Sequence, residues 1–211
     1  MFLTTRAPFP RLLLVLGASL CMLLTKGVQA DDGKPAPANP HAVNDDPAAV
    51  KAAPVAEPDD YRTEEYRKPV PATLKGAKVL SPEQASELWT KNAAVFIDVY
   101  PKAPKPDNLP AGTFWREPTH QSIENAKWVP NVGYGPLGAP IEDYFKRQLT
   151  TLSGGDRGKP LVFFCLRNCW MSWNAAKRAM SYGYSNVMWF PEGTDAWQEI
   201  GQPVVEAKPE P

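Results

Sequence analysis

Histidine is almost missing from this chain. Of 211 residues only His41 and His120 carry an imidazole, and cysteine occurs three times, at 21, 165 and 169. A structural metal needs about four ligands, so two close thiols and an isolated histidine do not make a zinc site, and no metal is expected. Covalent haem would require a histidine after the second cysteine of the pair, where Trp170 stands instead. A surplus of one charge is also missing, since 23 basic residues face 23 acidic ones. A chain so balanced carries no electrostatic footprint for nucleic acid. Long apolar runs are confined to the first thirty residues. No Ser/His/Asp set and no phosphate-cradling glycine loop can be read from the rest.

The apolar run that is present reads as an export signal. Arg6 and Arg11 precede Leu12–Leu24, and Val28-Gln29-Ala30 offers small residues for cleavage before Asp31. The run is short for a permanent membrane span, and Leu20 before Cys21 argues against lipidation. Cleavage would remove Arg6, Arg11 and Lys26 and no acid, leaving 20 basic and 23 acidic residues, a net charge of −3. The expected location is the bacterial periplasm, with no membrane association after residues 1–30 are removed. Residues 31–60 read as a disordered linker: half of residues 31–58 are Ala or Pro, too little apolar surface to offset ordering entropy. The domain is expected over residues 61–205, followed by a disordered tail at 206–211.

Within the domain, short β-rich runs alternate with helical patterns. Ala77–Leu80 reads as a strand, and Ser81-Pro82-Glu83 as the cap, first-turn proline and first-turn acid of a helix. Ala94–Val99 and Leu161–Phe164 are nearly continuous apolar runs, as in strands covered on both faces. Ala126–Pro130 is a weaker strand candidate, in a stretch from 100 to 140 rich in Pro, Gly and Trp. Ile141, Tyr144, Phe145, Leu149 and Leu152 recur at helical spacing until Gly154-Gly155. A helix to about Tyr182, a strand at Asn186–Phe190 and a short helix at Thr194–Ile200 complete the pattern. The fold class this predicts is α/β, with a mostly parallel central sheet and helices on both faces. Sites in such sheets form at the carboxyl ends of strands.

Cys165-Leu166-Arg167-Asn168-Cys169-Trp170 lies at such an end. A thiol there, facing a helix N-terminus, is favoured as a thiolate, and a second thiol four positions on is placed to resolve its products. Asp98, at the end of its own strand, reads as a loop anchor that supports the site. Trp170, Trp173 and Trp189 read as core rather than as a platform for a flat quinone. Glu142 and Asp143 read as solvated surface.

Four blocks in order resemble a rhodanese domain: Ser81-Pro82-Glu83, Ile97-Asp98-Val99, Phe163-Phe164-Cys165 and Gly193-Thr194-Asp195-Ala196-Trp197. A closer resemblance is to the periplasmic family described as PQQ-dependent catabolism-associated CXXCW motif proteins. It rests on Tyr61-Arg62, Tyr66-Arg67, Pro69–Leu74, and Cys165–Trp170 followed by Met171–Arg178. That resemblance implies a rhodanese-like fold and an accessory role in alcohol oxidation by pyrroloquinoline-quinone enzymes. No cofactor is expected to be bound. The partners it implies are a periplasmic PQQ-dependent dehydrogenase or a thiol reductant. The active-site loop it implies comprises Leu166, Arg167, Asn168, Trp170, Met171 and Ser172 around Cys165 and Cys169. Rhodanese-fold phosphatases carry an arginine six positions after the nucleophile. Met171 stands there, and without that guanidinium phosphoryl transfer loses its main electrostatic stabilisation. Tyr100 replaces the arginine that follows Asp-Val in the family.

Three readings of the pair stay open. Cys165 can carry a persulfide, stabilised by loop N–H groups and Arg167, with Cys169 resolving it. The two can cycle between dithiol and disulfide. Or a permanent disulfide staples the turn in a non-catalytic module. So small a loop yields well under the ~3 kcal/mol expected of a fifteen-residue loop, so stability alone is a poor reason for the bond. On one helix the Cβ atoms would be about 5–6 Å apart, so a disulfide needs Cys165 still off the helix.

Overall fold

The computed structural model describes residues 54–211. The expected signal at 1–30 and linker residues 31–53 lie outside the described residues. Eleven elements follow one another: β1 (Lys78–Val79), α1 (Pro82–Thr90), β2 (Val95–Asp98), β3 (His120–Ile123), β4 (Lys127–Trp128), α2 (Ala139–Ser153), β5 (Leu161–Phe164), α3 (Trp170–Ser181), β6 (Val187–Phe190), α4 (Gly193–Glu199) and β7 (Val204–Ala207). Five strands form one sheet in the order β1-β6-β5-β2-β4, each adjacent pair parallel. The fold class is α/β, as the alternating pattern predicts.

The apolar run of β5 is explained by its central position, which buries both of its faces. Leu161, Phe163 and Cys165 enter one core with Phe145 and Leu149 of α2 and Trp173 and Ala176 of α3. Val162 and Phe164 enter the other, with Ala85 of α1 and Ala196 and Trp197 of α4. All four β5 side chains are buried, each contributing about 1.5–3 kcal/mol of hydrophobic stabilisation. Helices therefore cover both faces. α1 starts on a reciprocal cap: Gln84 N donates to Ser81 Oγ at 3.2 Å, and Ser81 N donates to Gln84 Oε1 at 3.0 Å. α2 ends at Gly154 with φ +65°, the left-handed conformation that glycine adopts without penalty. Among the described residues no helix is long and apolar enough to cross a membrane.

Three boundaries differ from the expectation. β3 and β7 form a separate antiparallel pair, His120 opposite Ala207 and Ile123 opposite Val204, in segments not read as strands. The tail at 206–211, expected to be disordered, is tied down instead. β7 runs into it, Glu210 N donates to Trp128 O at 2.8 Å, and Tyr144 Oη donates to Glu210 O at 2.9 Å. The linker expected through residue 60 gives way earlier. Val55 packs on the core, and Lys177 Nζ donates to the carbonyls of Pro58 and Asp59.

Candidate functional site

β5 delivers Cys165 to the sheet's carboxyl edge, and the chain then reverses in four residues. Asn168 makes the reversal at φ +55°, a left-handed conformation that asparagine tolerates better than most residues. Cys169 is the extended N-cap of α3. Cys165 thus remains off the helix, its Cα 6.2 Å from that of Cys169, and the two sulfurs are bonded. Both cysteines are 1 % exposed. Met171 and Ser172, grouped with the active-site loop in the sequence, point inward and are fully buried. Ser172 Oγ accepts the Trp189 indole N–H at 3.0 Å and donates to Cys169 O at 3.2 Å. Trp170, Trp173 and Trp189 are core side chains.

Arg167 is engaged by acids of the α4 region. Its Nε donates to Glu192, its Nη1 to Glu199 at 2.7 Å, and its backbone N–H to Asp195 Oδ2 at 2.9 Å. The side-chain bonds to Glu199 and then Glu192 raise the Arg167 pKa, and the bond from Arg167 lowers that of Glu199. Both ionic partners of this guanidinium, which was expected to stabilise a sulfur anion, belong to the α4 region. That region also braces the turn. Thr194 N donates to Cys165 O at 3.0 Å, and Leu166 forms an isolated bridge with Gly193. The Gly193–Trp197 block signalled its importance in the sequence, but its role against Cys165 did not show there.

The N-terminal segment lies across the start of α3. Trp170 N, the helix's first N–H, donates to Tyr66 O at 2.9 Å, and Trp170 Nε1 donates to Pro69 O at 3.1 Å. Fully buried Asn174 accepts from Arg62 N at 2.9 Å and donates to Arg62 O and Gly133 O, each at 2.8 Å. The Arg62 guanidinium sits 5.4 Å from the Trp170 ring. Arg178, its pKa lowered by burial, donates to Val132 O at 3.0 Å and to Gly135 O, and lies 4.1 Å over the Tyr61 ring. Gly133 is required here, because a Cβ would come within 2.3 Å of Met171 O.

This strap is held from its own start by Glu57, which accepts from Lys75 N at 2.6 Å and Thr73 Oγ1 at 2.7 Å. Desolvation opposes its ionisation, but those two bonds and the charges of Lys177 and Lys75 prevail and lower its pKa. A carboxylate with a depressed folded-state pKa stabilises above its unfolded pKa, and that contribution disappears as pH falls through the folded value. Glu57→Ala should therefore speed amide exchange over residues 55–75 at about pH 7, with the difference from wild type shrinking as pH falls below the ordinary carboxylate range. A difference that persists at the lower pH would show that the carboxylate's charge is not what holds the strap.

Asp98 ends β2 beside Phe164 of β5 and is 1 % exposed. Its Oδ1 accepts Tyr100 N at 2.8 Å, and its Oδ2 accepts Ser122 Oγ at 2.5 Å and His120 Nε2 at 2.7 Å. The His120 ring stacks on Tyr100 at 4.7 Å between ring centroids. Asp98 therefore joins the sheet edge to β3. Among the described residues no group of three or more His, Cys, Asp or Glu side chains is placed to hold a metal.

No protein-family model matches this chain, and no curated protein matches it. Solved structures do show similarity. A polysulfide-sulfur transferase homodimer from Wolinella succinogenes is 25 % identical over 63 % of this chain and 80 % of its own, with a TM-score of 0.39. A thiosulfate sulfurtransferase from Pseudomonas aeruginosa is 18 % identical over 64 % of this chain and 21 % of its own, with a TM-score of 0.43. An uncharacterized protein from Saccharomyces cerevisiae is 21 % identical over 59 % and 93 %, with a TM-score of 0.37.

Proposed function

We propose that this is an exported, rhodanese-like thiol protein of the periplasm that handles electrons or sulfane sulfur through Cys165, with Cys169 as its resolving partner. The observation that carries the reading is the bond between a strand-end cysteine and the N-cap cysteine of the next helix. The motif resemblance supplies the setting, accessory to PQQ-dependent alcohol oxidation, with a dehydrogenase or a thiol reductant as partner. As an electron acceptor, the disulfide is attacked by one thiolate of a dithiol reductant. A mixed disulfide forms and the other protein sulfur leaves as a thiolate. The reductant's second thiol then closes its own disulfide and releases the reduced pair, two electrons and two protons having moved. Once reduced, Cys165 can attack the outer sulfur of thiosulfate, giving a persulfide and releasing sulfite. Attack of Cys169 on Cys165 Sγ then restores the disulfide and expels hydrosulfide.

The burial of both sulfurs favours a second reading, a non-catalytic module stapled by the same bond. Thiol trapping with and without a mild reductant, followed by a thiosulfate:cyanide assay, separates the two. Under the first reading the pair is reduced by a dithiol, and Cys165→Ser abolishes sulfite release while Cys169→Ser blocks only the hydrosulfide step. A pair that resists reductant, with Cys165→Ser equal to wild type in cells, would leave only the staple.

A further inference from the structure

Twenty-one residues without regular structure separate β2 from β3. Loops of more than about 12–15 such residues are uncommon in compact domains and are usually either functional or linker segments. This one is pinned at its base, where Lys102 N donates to Asn131 Oδ1 at 3.0 Å and Lys102 Nζ meets Glu117 at 2.6 Å. Beyond the pins, its residues and those of the turn before α2 line an open cleft of about 790 Å³. That volume falls in the range of small-molecule sites, roughly 300–1,000 Å³. Trp115, Tyr134, Leu137 and Ile141 supply apolar walls. Tyr134 is backed by Tyr66, edge to face at 5.3 Å, so its ring is positioned from behind.

The charge in the cleft is unbalanced. Lys102, Lys105 and Glu117 line it, and Glu117 is engaged by Lys102. Among the described residues no carboxylate pairs with Lys105. Glu142, in the first turn of neighbouring α2, is itself paired with Lys146 at 2.7 Å. We propose that this cleft binds a small aromatic carboxylate, its ring against Trp115 and Tyr134 and its carboxylate at Lys105. Aromatic walls bind a flat apolar ring, and one unmatched ammonium matches one anionic group. No residue of the Cys165–Ser172 turn lines the cleft, so the inference stands apart from the thiol chemistry.

Calorimetric titration of the full chain with 2-naphthoate and with its uncharged isostere 2-naphthamide tests it. The carboxylate should bind about tenfold more tightly than the amide, a difference of about 1.4 kcal/mol. Lys105→Met should remove that preference and leave amide binding unchanged. Trp115→Ala should weaken both ligands about tenfold. Both substitutions are at loop positions, and circular dichroism checks that each variant is folded. Absence of binding, equal affinity for the two ligands, or a preference that survives Lys105→Met would each overturn the proposal. Cys165→Ser should bind 2-naphthoate as wild type does, so failure of the thiol reading would leave this result untouched.

Discussion

Replacing Gly193 with alanine should destabilise the protein by about 3–5 kcal/mol and loosen the two-cysteine turn. Gly193 has φ +53°, where an alanine already costs about 1–2 kcal/mol. The larger part is steric. A Cβ at this position would lie 2.1 Å from Cys165 O, 2.7 Å from its carbonyl carbon and 3.0 Å from Leu166 Cα. All three are backbone atoms, so no side-chain rotation relieves the overlap. The turn or α4 must shift, and either movement stretches the bond from Thr194 N to Cys165 O and the ion pairs between Arg167 and Glu192 and Glu199. Gly112→Ala is the control, because its φ is +82° but nothing lies within 4 Å of the added carbon. A melting temperature about 10–15 °C below wild type is expected for Gly193→Ala, with faster reduction of the disulfide. For Gly112→Ala only the conformational cost should appear. Equal melting temperatures for the two variants would mean that the close approach of Gly193 to Cys165 is not what holds the turn.

What could be read from the sequence follows the range of the interaction that forms it. β5 was legible because four consecutive apolar residues suit a strand covered on both sides. The start of α1 was legible because its cap spans three residues. The β3–β7 pair was not, because His120-Gln121-Ser122-Ile123 has no strong apolar alternation and its partner lies more than eighty residues away. The same limit applied at the site. The strand end, the turn and the helix start around Cys165 are local features. Arg167's partners lie 25 and 32 residues on, and the strap bond from Arg62 to Asn174 spans 112. Only the folded chain brings the Tyr66 carbonyl to the first N–H of α3, where loop amides had been expected to face a sulfur anion. The tail was misread for a related reason. Its composition is that of a linker, but Trp128 and Tyr144 supply the partners that composition cannot reveal.

Asp98→Ala should cost about 3–5 kcal/mol, because it removes a buried acceptor and leaves its donors unpaired. Ser122 is fully buried and His120 nearly so, which leaves their hydrogen-bonding groups little access to water. Asparagine would be a poor repair: three donors converge on two oxygens, and an amide replaces one of those oxygens with a further donor. The damage should stay local. The backbone bonds from Val99 N to Phe164 O at 3.0 Å and from Val129 N to Asp98 O at 2.8 Å need no side chain at 98, so β2, β4 and β5 keep their register. β3 loses its tie to the sheet edge, and β7, which pairs with it, should loosen as well. Amide exchange should then accelerate in 120–123 and 204–207 while β5 and the start of α3 remain protected. The rate at which a dithiol reduces Cys165–Cys169 distinguishes an anchor from a member of the thiol site. An anchor for β3 leaves that rate near wild type, because the turn is braced by α4 and the strap rather than by Asp98. A large change in reduction rate without loss of β3 protection would instead assign Asp98 to the chemistry of the sulfur pair.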